Sequence, residues 1–240
     1  MKSADRQIRF PKSRQWEYSD REGVTVSTYG IPQEFREAFL NILVMTRGYY
    51  RGLFGDHVID FVEFNVRKSR GLPLRLWTNG ADRIFLTLSR KTQLEPASVS
   101  GVRHLHGLTH ELAHIVLYRS LINLAELAEG WGEGWAIYLG SFWGVPHLHE
   151  ELGEEAWPYP HCYLASDGPG RYQQYFLQKG WRPPNATVQV VYDLYRWQQC
   201  VGNNTFVRFF RELLTSPLRA DQFNQKVSKE LRALRKRKAA

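Results

Sequence analysis

Cysteine is scarce in this chain, with only Cys162 and Cys200 among 240 residues. Two thiols exclude a disulfide framework, and their separation excludes a paired-thiolate metal site; they read as ordinary core thiols or as one bridge. Long apolar runs are missing as well, since no stretch approaches the roughly 18 residues that cross a bilayer. Met1 to Ser19 is polar and charged, without an apolar stretch leading to a small-residue cleavage site, so a cytoplasmic location is the default expectation. No run of interleaved aromatic and basic residues marks a nucleic-acid binder, although the net charge is +8.

That charge is concentrated at one end. From Lys226 to Ala240 seven cations (Lys226, Lys229, Arg232, Arg235, Lys236, Arg237 and Lys238) face the single acid Glu230, while the rest of the chain is nearly neutral. Such a segment reads first as a solvated, fraying terminal helix or tail, and only second as a contact for nucleic acid or an anionic surface. With 43% apolar residues, the chain can bury one good core. The expectation is one catalytic domain.

What the chain does contain is Thr109-His110-Glu111-Leu112-Ala113-His114, inside a run with helical character. Residues four apart share a helix face, so both imidazoles can reach one ion, with Glu111 projecting beside them. Two imidazoles, one further protein ligand and an open position describe a catalytic zinc, and a carboxylate next to them can take a proton from water. The motif therefore points to hydrolysis. Eighteen residues separate His114 from Glu133, which lies in Gly132-Glu133-Gly134-Trp135-Ala136-Ile137-Tyr138, on an expected second helix that turns back to offer it. Its flanking glycines would let the two helices approach closely. Glu126 and Glu129 are alternative third ligands nearer the first helix. The third histidine of a metzincin is missing, because Leu117 and Ser120 occupy the positions that need Gly and His.

His-Glu-x-x-His followed after eighteen residues by Glu in Glu-Gly-x-Ala-x-Tyr resembles the gluzincin zinc metallopeptidases, the group of the thermolysin-like enzymes and the zinc aminopeptidases. The resemblance covers roughly residues 30–215. It implies zinc held by His110, His114 and Glu133, with Glu111 as general base. It also implies a zincin-like α+β fold: a small N-terminal twisted sheet packed on the zinc helix, then a helical C-terminal lobe. The organisation expected on this basis is an extension and first strand over 1–29, a metallopeptidase domain over 30–215 and a basic helix or tail over 216–240. Within the domain, a sheet lobe spans 30–100, the zinc helices 101–144 and a helical lobe 145–215.

Local patterns fill in this outline. Gly23 to Gly30 alternates as a strand, and Pro32 to Phe54 repeats apolar residues at helical spacing. Val58 to Val66, Leu74 to Thr78 and Arg83 to Leu88 read as strands, with Asn79-Gly80 as a hairpin turn whose loop can run on to Asp82. Arg83 to Leu88 is the candidate edge strand, against which an extended substrate would pair. His104 and His106 sit in the first turns of the zinc helix, as bystanders or as groups orienting a ligand imidazole. Gly144 to Ala165, with His147, His149, His161 and four glutamates, reads as irregular. Helices are expected over 170–179, 186–201 and 205–214.

In the aminopeptidase branch that this chain resembles, a tyrosine fifteen residues before the glycine corresponding to Gly202 donates to the developing oxyanion. Here that position is Thr187. Tyr192, Tyr195 and His161 are the candidate substitutes. The functional expectation is a zinc metallopeptidase acting on a peptide or protein substrate, with endopeptidase cleavage favoured. The alternative is a catalytically weak zincin-fold binding or scaffold protein that retains zinc. A third possibility is a protease brought to nucleic acid by its basic tail.

Overall fold

The computed structural model describes residues 15–31, 33–69, 75–89, 99–156, 174, 176–178 and 180–239. The chain opens with an antiparallel pair, β1 (Trp16–Arg21) and β2 (Val24–Tyr29), joined through Glu22 and Gly23 at positive φ. Residues 16–29, expected to hold an extension and one strand, thus supply two strands of the main sheet. A long helix, α1 (Gln33–Phe54), then leads to β3 (Val62–Ser69), which lies parallel to β2. β3 begins later than the alternation from Val58 suggests, because Asp56–Val58 forms a 3-10 turn.

The sheet closes with β4 (Arg75–Thr78) and β5 (Arg83–Ser89) in the order β1-β2-β3-β5-β4. This corrects one expectation. Arg83–Ser89 is an interior strand, parallel to β3 on one side and antiparallel to β4 on the other, so the edge belongs to β4. The hairpin loop does run on to Asp82: the Asn79 side-chain carbonyl accepts from the backbone N–H groups of Ala81, Asp82 and Arg83. β-Branched and aromatic residues alternate across the strands. Val24, Val26, Val62, Phe64, Val66, Ile84 and Leu86 are buried on one face, whereas Trp16, Tyr18 and Trp77 remain exposed on the other. Helix α1 packs on the buried face, with Phe39 edge-on to Phe64 at 5.3 Å between ring centroids.

The second helix over that face is α2 (Val99–Arg119), which starts slightly before the expected residue 101. A short strand β6 (Leu121–Ile122) and a 3-10 turn (Leu124–Glu126) reverse the chain into α3 (Trp131–Leu139). α3 continues through a π turn (Gly140–Gly144) into α4 (Val145–Ala156). Residues 145–156 are therefore helical, which corrects the irregular reading of Gly144 to Ala165 up to Ala156; the remainder, and with it Cys162, lies outside the described residues. Most of the helix expected over 170–179 lies outside them too.

Helices α5 (Ala186–Val201), capped by the Asn185 side chain on Val188 N–H at 2.9 Å, and α6 (Asn203–Leu214) match their expected spans closely. Trp197 and Phe206 of this pair meet at 5.6 Å, and Trp135 of α3 packs between Phe54 and Phe210. A short strand β7 (Leu218–Arg219) pairs with β6 and introduces α7 (Ala220–Ala239). The basic terminal segment is anchored at its start, where Ala220, Phe223 and Val227 are fully buried. Its described cations Lys226, Lys229, Arg232 and Lys236 are exposed on this helix. Cys200 is exposed and free rather than a core thiol. Among the described residues no helix is long and apolar enough to cross a membrane. The architecture is mixed α+β, with its helices gathered on one face of the sheet.

Candidate metal centre

Helix α2 carries His110 and His114 one turn apart, and α3, returning beside it, brings up Glu133. Their donor atoms form a small triangle. The two Nε2 atoms are 3.1 Å apart, and each lies 3.4 Å from one Glu133 carboxylate oxygen. A tetrahedral ion with ligand bonds of about 2.0–2.1 Å holds neighbouring donors about 3.3 Å apart, so the triangle has the size that such an ion requires. Two imidazoles and one carboxylate also form a donor set suited to zinc. His110, His114 and Glu133 are thus the residues that could hold a metal ion, and they are the three read from the motif. Hydrogen bonds from His110 and His114 hold the Glu133 carboxyl far below its ordinary range, so it is an anion ready to ligate.

The helix pair is locked around this triangle. A Cβ on Gly140 would fall 3.0 Å from Cα and N of His110, so only glycine admits so close an approach of the two backbones. Tyr50 of α1, wholly buried, directs its hydroxyl at the carbonyls of Thr109 and Leu139, 3.1 and 3.3 Å away, and so ties α2 to the end of α3. The indole N–H of Trp135 donates to the carbonyl of Ala113 at 3.0 Å, one residue before His114. The glycines flanking Glu133 serve other purposes than helix approach alone. Gly134 faces Val190 and Thr187 of α5, and Gly132 faces the hydroxyl of Tyr118.

Glu111 stands one position from His110 and is only 8% exposed. Burial pushes its carboxyl above the ordinary range; the neighbouring imidazoles and a backbone hydrogen bond from Thr78 pull the other way without cancelling the rise. Thr78 belongs to the edge strand β4. Because Asn79 N–H bonds to the Arg83 carbonyl, alternation along an antiparallel ladder turns the backbone groups of Thr78 and Leu76 away from β5, towards the open edge. Gly107 of α2 lies directly beneath, since a Cβ there would meet Leu76 Cδ2 at 2.3 Å. The open edge of the sheet therefore runs beside the helix that carries the histidines and Glu111.

Sequence reasoning missed Tyr118. Its ring stacks on His114 with centroids 5.2 Å apart and planes inclined by 28°. Burial raises its pKa, and the charges of Glu133 and Glu111 raise it further. The signal was present in the spacing: Tyr118 follows His114 by four, as His114 follows His110, and extends the same helix face by one turn.

Other candidates lie elsewhere. Glu126 pairs with Arg219 at 3.0 Å, and Glu129 is exposed in the connection, so neither joins the triangle. Thr187 lies in the first turn of α5, with its backbone against Gly130 and Gly134. Tyr192 and Tyr195 contribute to an aromatic cluster with Phe176, and Tyr195 also meets Phe142. His147 stacks on Tyr49 at 4.0 Å between centroids, where α4 crosses α1. The side chains of His104, His106 and His149, and all of His161, lie outside the described residues. No protein-family model matches the sequence, and a search of curated proteins returned no significant match.

Proposed function

We propose that this chain is a zinc-dependent metallopeptidase of the gluzincin type, with a zincin-like fold. The observation that carries the reading is the convergence of His110, His114 and Glu133 donor atoms within 4.8 Å of one another, with the buried Glu111 beside them. Zinc bound there would polarise the scissile carbonyl and lower the pKa of water to about 7. His110, His114 and Glu133 would hold the ion. Glu111, its proton affinity raised by burial, takes the proton from the attacking water and returns it to the leaving amine. An extended peptide substrate lies along β4, pairing with the outward backbone groups of Leu76 and with the outward carbonyl of Thr78, whose N–H serves Glu111, which sets the scissile bond beside Glu111.

A second reading, a zinc-retaining scaffold with weak catalysis, draws on the positions of Thr187, Tyr192 and Tyr195. None of their contacts described above reaches the triangle, and loss of an oxyanion donor costs on the order of 10²–10³ in rate. Glu111 favours the enzyme, because a scaffold has no use for a buried base beside its metal.

Elemental analysis of the purified protein and of Glu133→Ala tests the reading. One zinc per wild-type chain, lost in the variant, is the expected result. Wild-type protein that neither carries metal nor takes up added zinc would refute it.

A further inference from the structure

We infer that Tyr118 is the positioning residue for His114, its ring setting the plane in which the imidazole offers Nε2. The inference rests on the metal reading above. A ligating histidine is ordinarily oriented through its second nitrogen, which donates to a carboxylate, a backbone carbonyl or a water. His114 departs from that pattern: its Nδ1 is buried and, among the described residues, has no hydrogen-bond partner. The terminal torsion of a histidine is soft, so a hydrogen bond that is not made leaves the ring plane to be fixed by packing.

The packing partner is the Tyr118 ring, with centroids 5.2 Å apart and planes inclined by 28°. His110 meets His114 only edge-on, at an interplanar angle of 85°, and therefore cannot define its plane in the same way. Tyr118 is itself held from two directions. At Gly80, in the β4–β5 turn, a Cβ would lie 2.7 Å from Tyr118 Cδ2; at Gly132, in the first turn of α3, it would lie 2.3 Å from the hydroxyl oxygen. Both neighbours must be glycine for the ring to lie where it does. The sheet hairpin and the helix carrying Glu133 thus clamp one tyrosine, and that tyrosine sets one imidazole. The contact on His114 is made by the ring face, and the hydroxyl takes no part in that stacking.

The test compares Tyr118→Phe, Tyr118→Leu and Gly132→Ala with wild type. Zinc affinity is read by competition with a chromophoric chelator, ligand geometry from the visible spectrum of the cobalt-loaded protein, and folding from the melting of the metal-free form. Tyr118→Phe should stay within about threefold of wild type and keep its cobalt spectrum. Tyr118→Leu should bind zinc about 10–100-fold more weakly and show a changed spectrum, the loss typical of removing a group that orients a ligand. Gly132→Ala, which displaces the clamped ring without removing it, should change the spectrum in the same sense, and it decides the matter if the leucine variant does not fold.

Wild-type affinity and spectrum in the folded leucine variant, or failing that in Gly132→Ala, would overturn the role. So would a phenylalanine variant as weak as the leucine one, since the hydroxyl would then be the active part. If wild type itself takes up no metal, the metal reading falls and this role with it; if wild type binds and the variants match it, only the role of Tyr118 falls.

Discussion

Gly48 and Gly140 receive the same change, glycine to alanine in a helical backbone, with opposite expected outcomes. Gly48 lies exposed inside α1, and a Cβ there meets nothing within 4 Å. Alanine removes conformational freedom from the unfolded chain and should stabilise the protein by about 0.5–1 kcal/mol. Gly140 has helical angles too, φ −63° and ψ −53°, so it carries the same gain and no backbone strain. Its Cβ, however, would press on Cα and N of His110 at 3.0 Å. These are main-chain atoms of a buried helix, and they cannot swing aside as a side chain can. Restoring an ordinary contact requires α2 and α3 to separate by about half an ångström, and overpacking of this kind costs about 1–3 kcal/mol. The net loss should therefore be about 0.5–2 kcal/mol, a fall of several degrees in Tm for a chain of this size. The same separation draws His110 away from Glu133, so zinc affinity should weaken as well, whereas Gly48→Ala should leave it alone. Thermal melting of the metal-free proteins and chelator competition measure both effects. Equal melting temperatures and affinities for Gly140→Ala and Gly48→Ala would refute the claim that backbone contact at Gly140 sets the spacing of the site.

Glu111→Gln keeps the shape of the side chain and removes the base; it should retain zinc and lower peptide hydrolysis by at least about 10²-fold, and hydrolysis at the wild-type rate would discard Glu111 from the mechanism. Alkaline titration probes the packing behind the site. Burial raises the Tyr49 phenol to about 12, with the charge of Glu150 adding to it, and lifts Tyr50 and Tyr138 well above their ordinary value. A group whose pKa is higher in the fold favours the folded state fully below its unfolded value near 10, and that contribution is lost as pH climbs through the folded value. Tyrosinate absorbance should therefore show a late phase, above about pH 11, that coincides with loss of circular dichroism. Ionisation of all twelve tyrosines near pH 10 in a still-folded protein would count against it.

The parts of this molecule that follow local rules were legible in the sequence. Ala186–Val201 shows its helix through Val190, Val191, Leu194 and Trp197, all buried here. Asn79-Gly80 announced its hairpin for an equally local reason, the positive φ that Gly80 adopts at +77°. Strand order is not local. Arg83–Ser89 has the strongest β character of its neighbourhood, and residues of that kind suit the interior of a sheet as well as its edge; only pairing to both β3 and β4 decides which. The segment from Val145 to Ala156 was hidden for another reason. Glycine and proline at Gly144 and Pro146 read as loop punctuation, yet the π turn at Gly140–Gly144 and the position of Pro146 in the first turn of α4 accommodate both without breaking the helix.

The site divides along the same line. His110, Glu111 and His114 lie within one helical turn, so their spacing states their geometry outright, and Glu133 is readable because its sequence context travels with it. Tyr118, Gly80 and Gly132 are another matter. The tyrosine is visible as the next step of the histidine face, but what makes it more than a core aromatic is a turn thirty-eight residues earlier and a helix start fourteen residues later, both glycine and both in contact with its ring or hydroxyl. In the sequence, Gly132 and Gly134 look like a matched pair framing Glu133. In the fold they answer to different neighbours, one to Tyr118 and the other to α5. A glycine records that some atom comes too close for a side chain; which atom it is depends on contacts made far along the chain, and those contacts hold the three donors at their spacing.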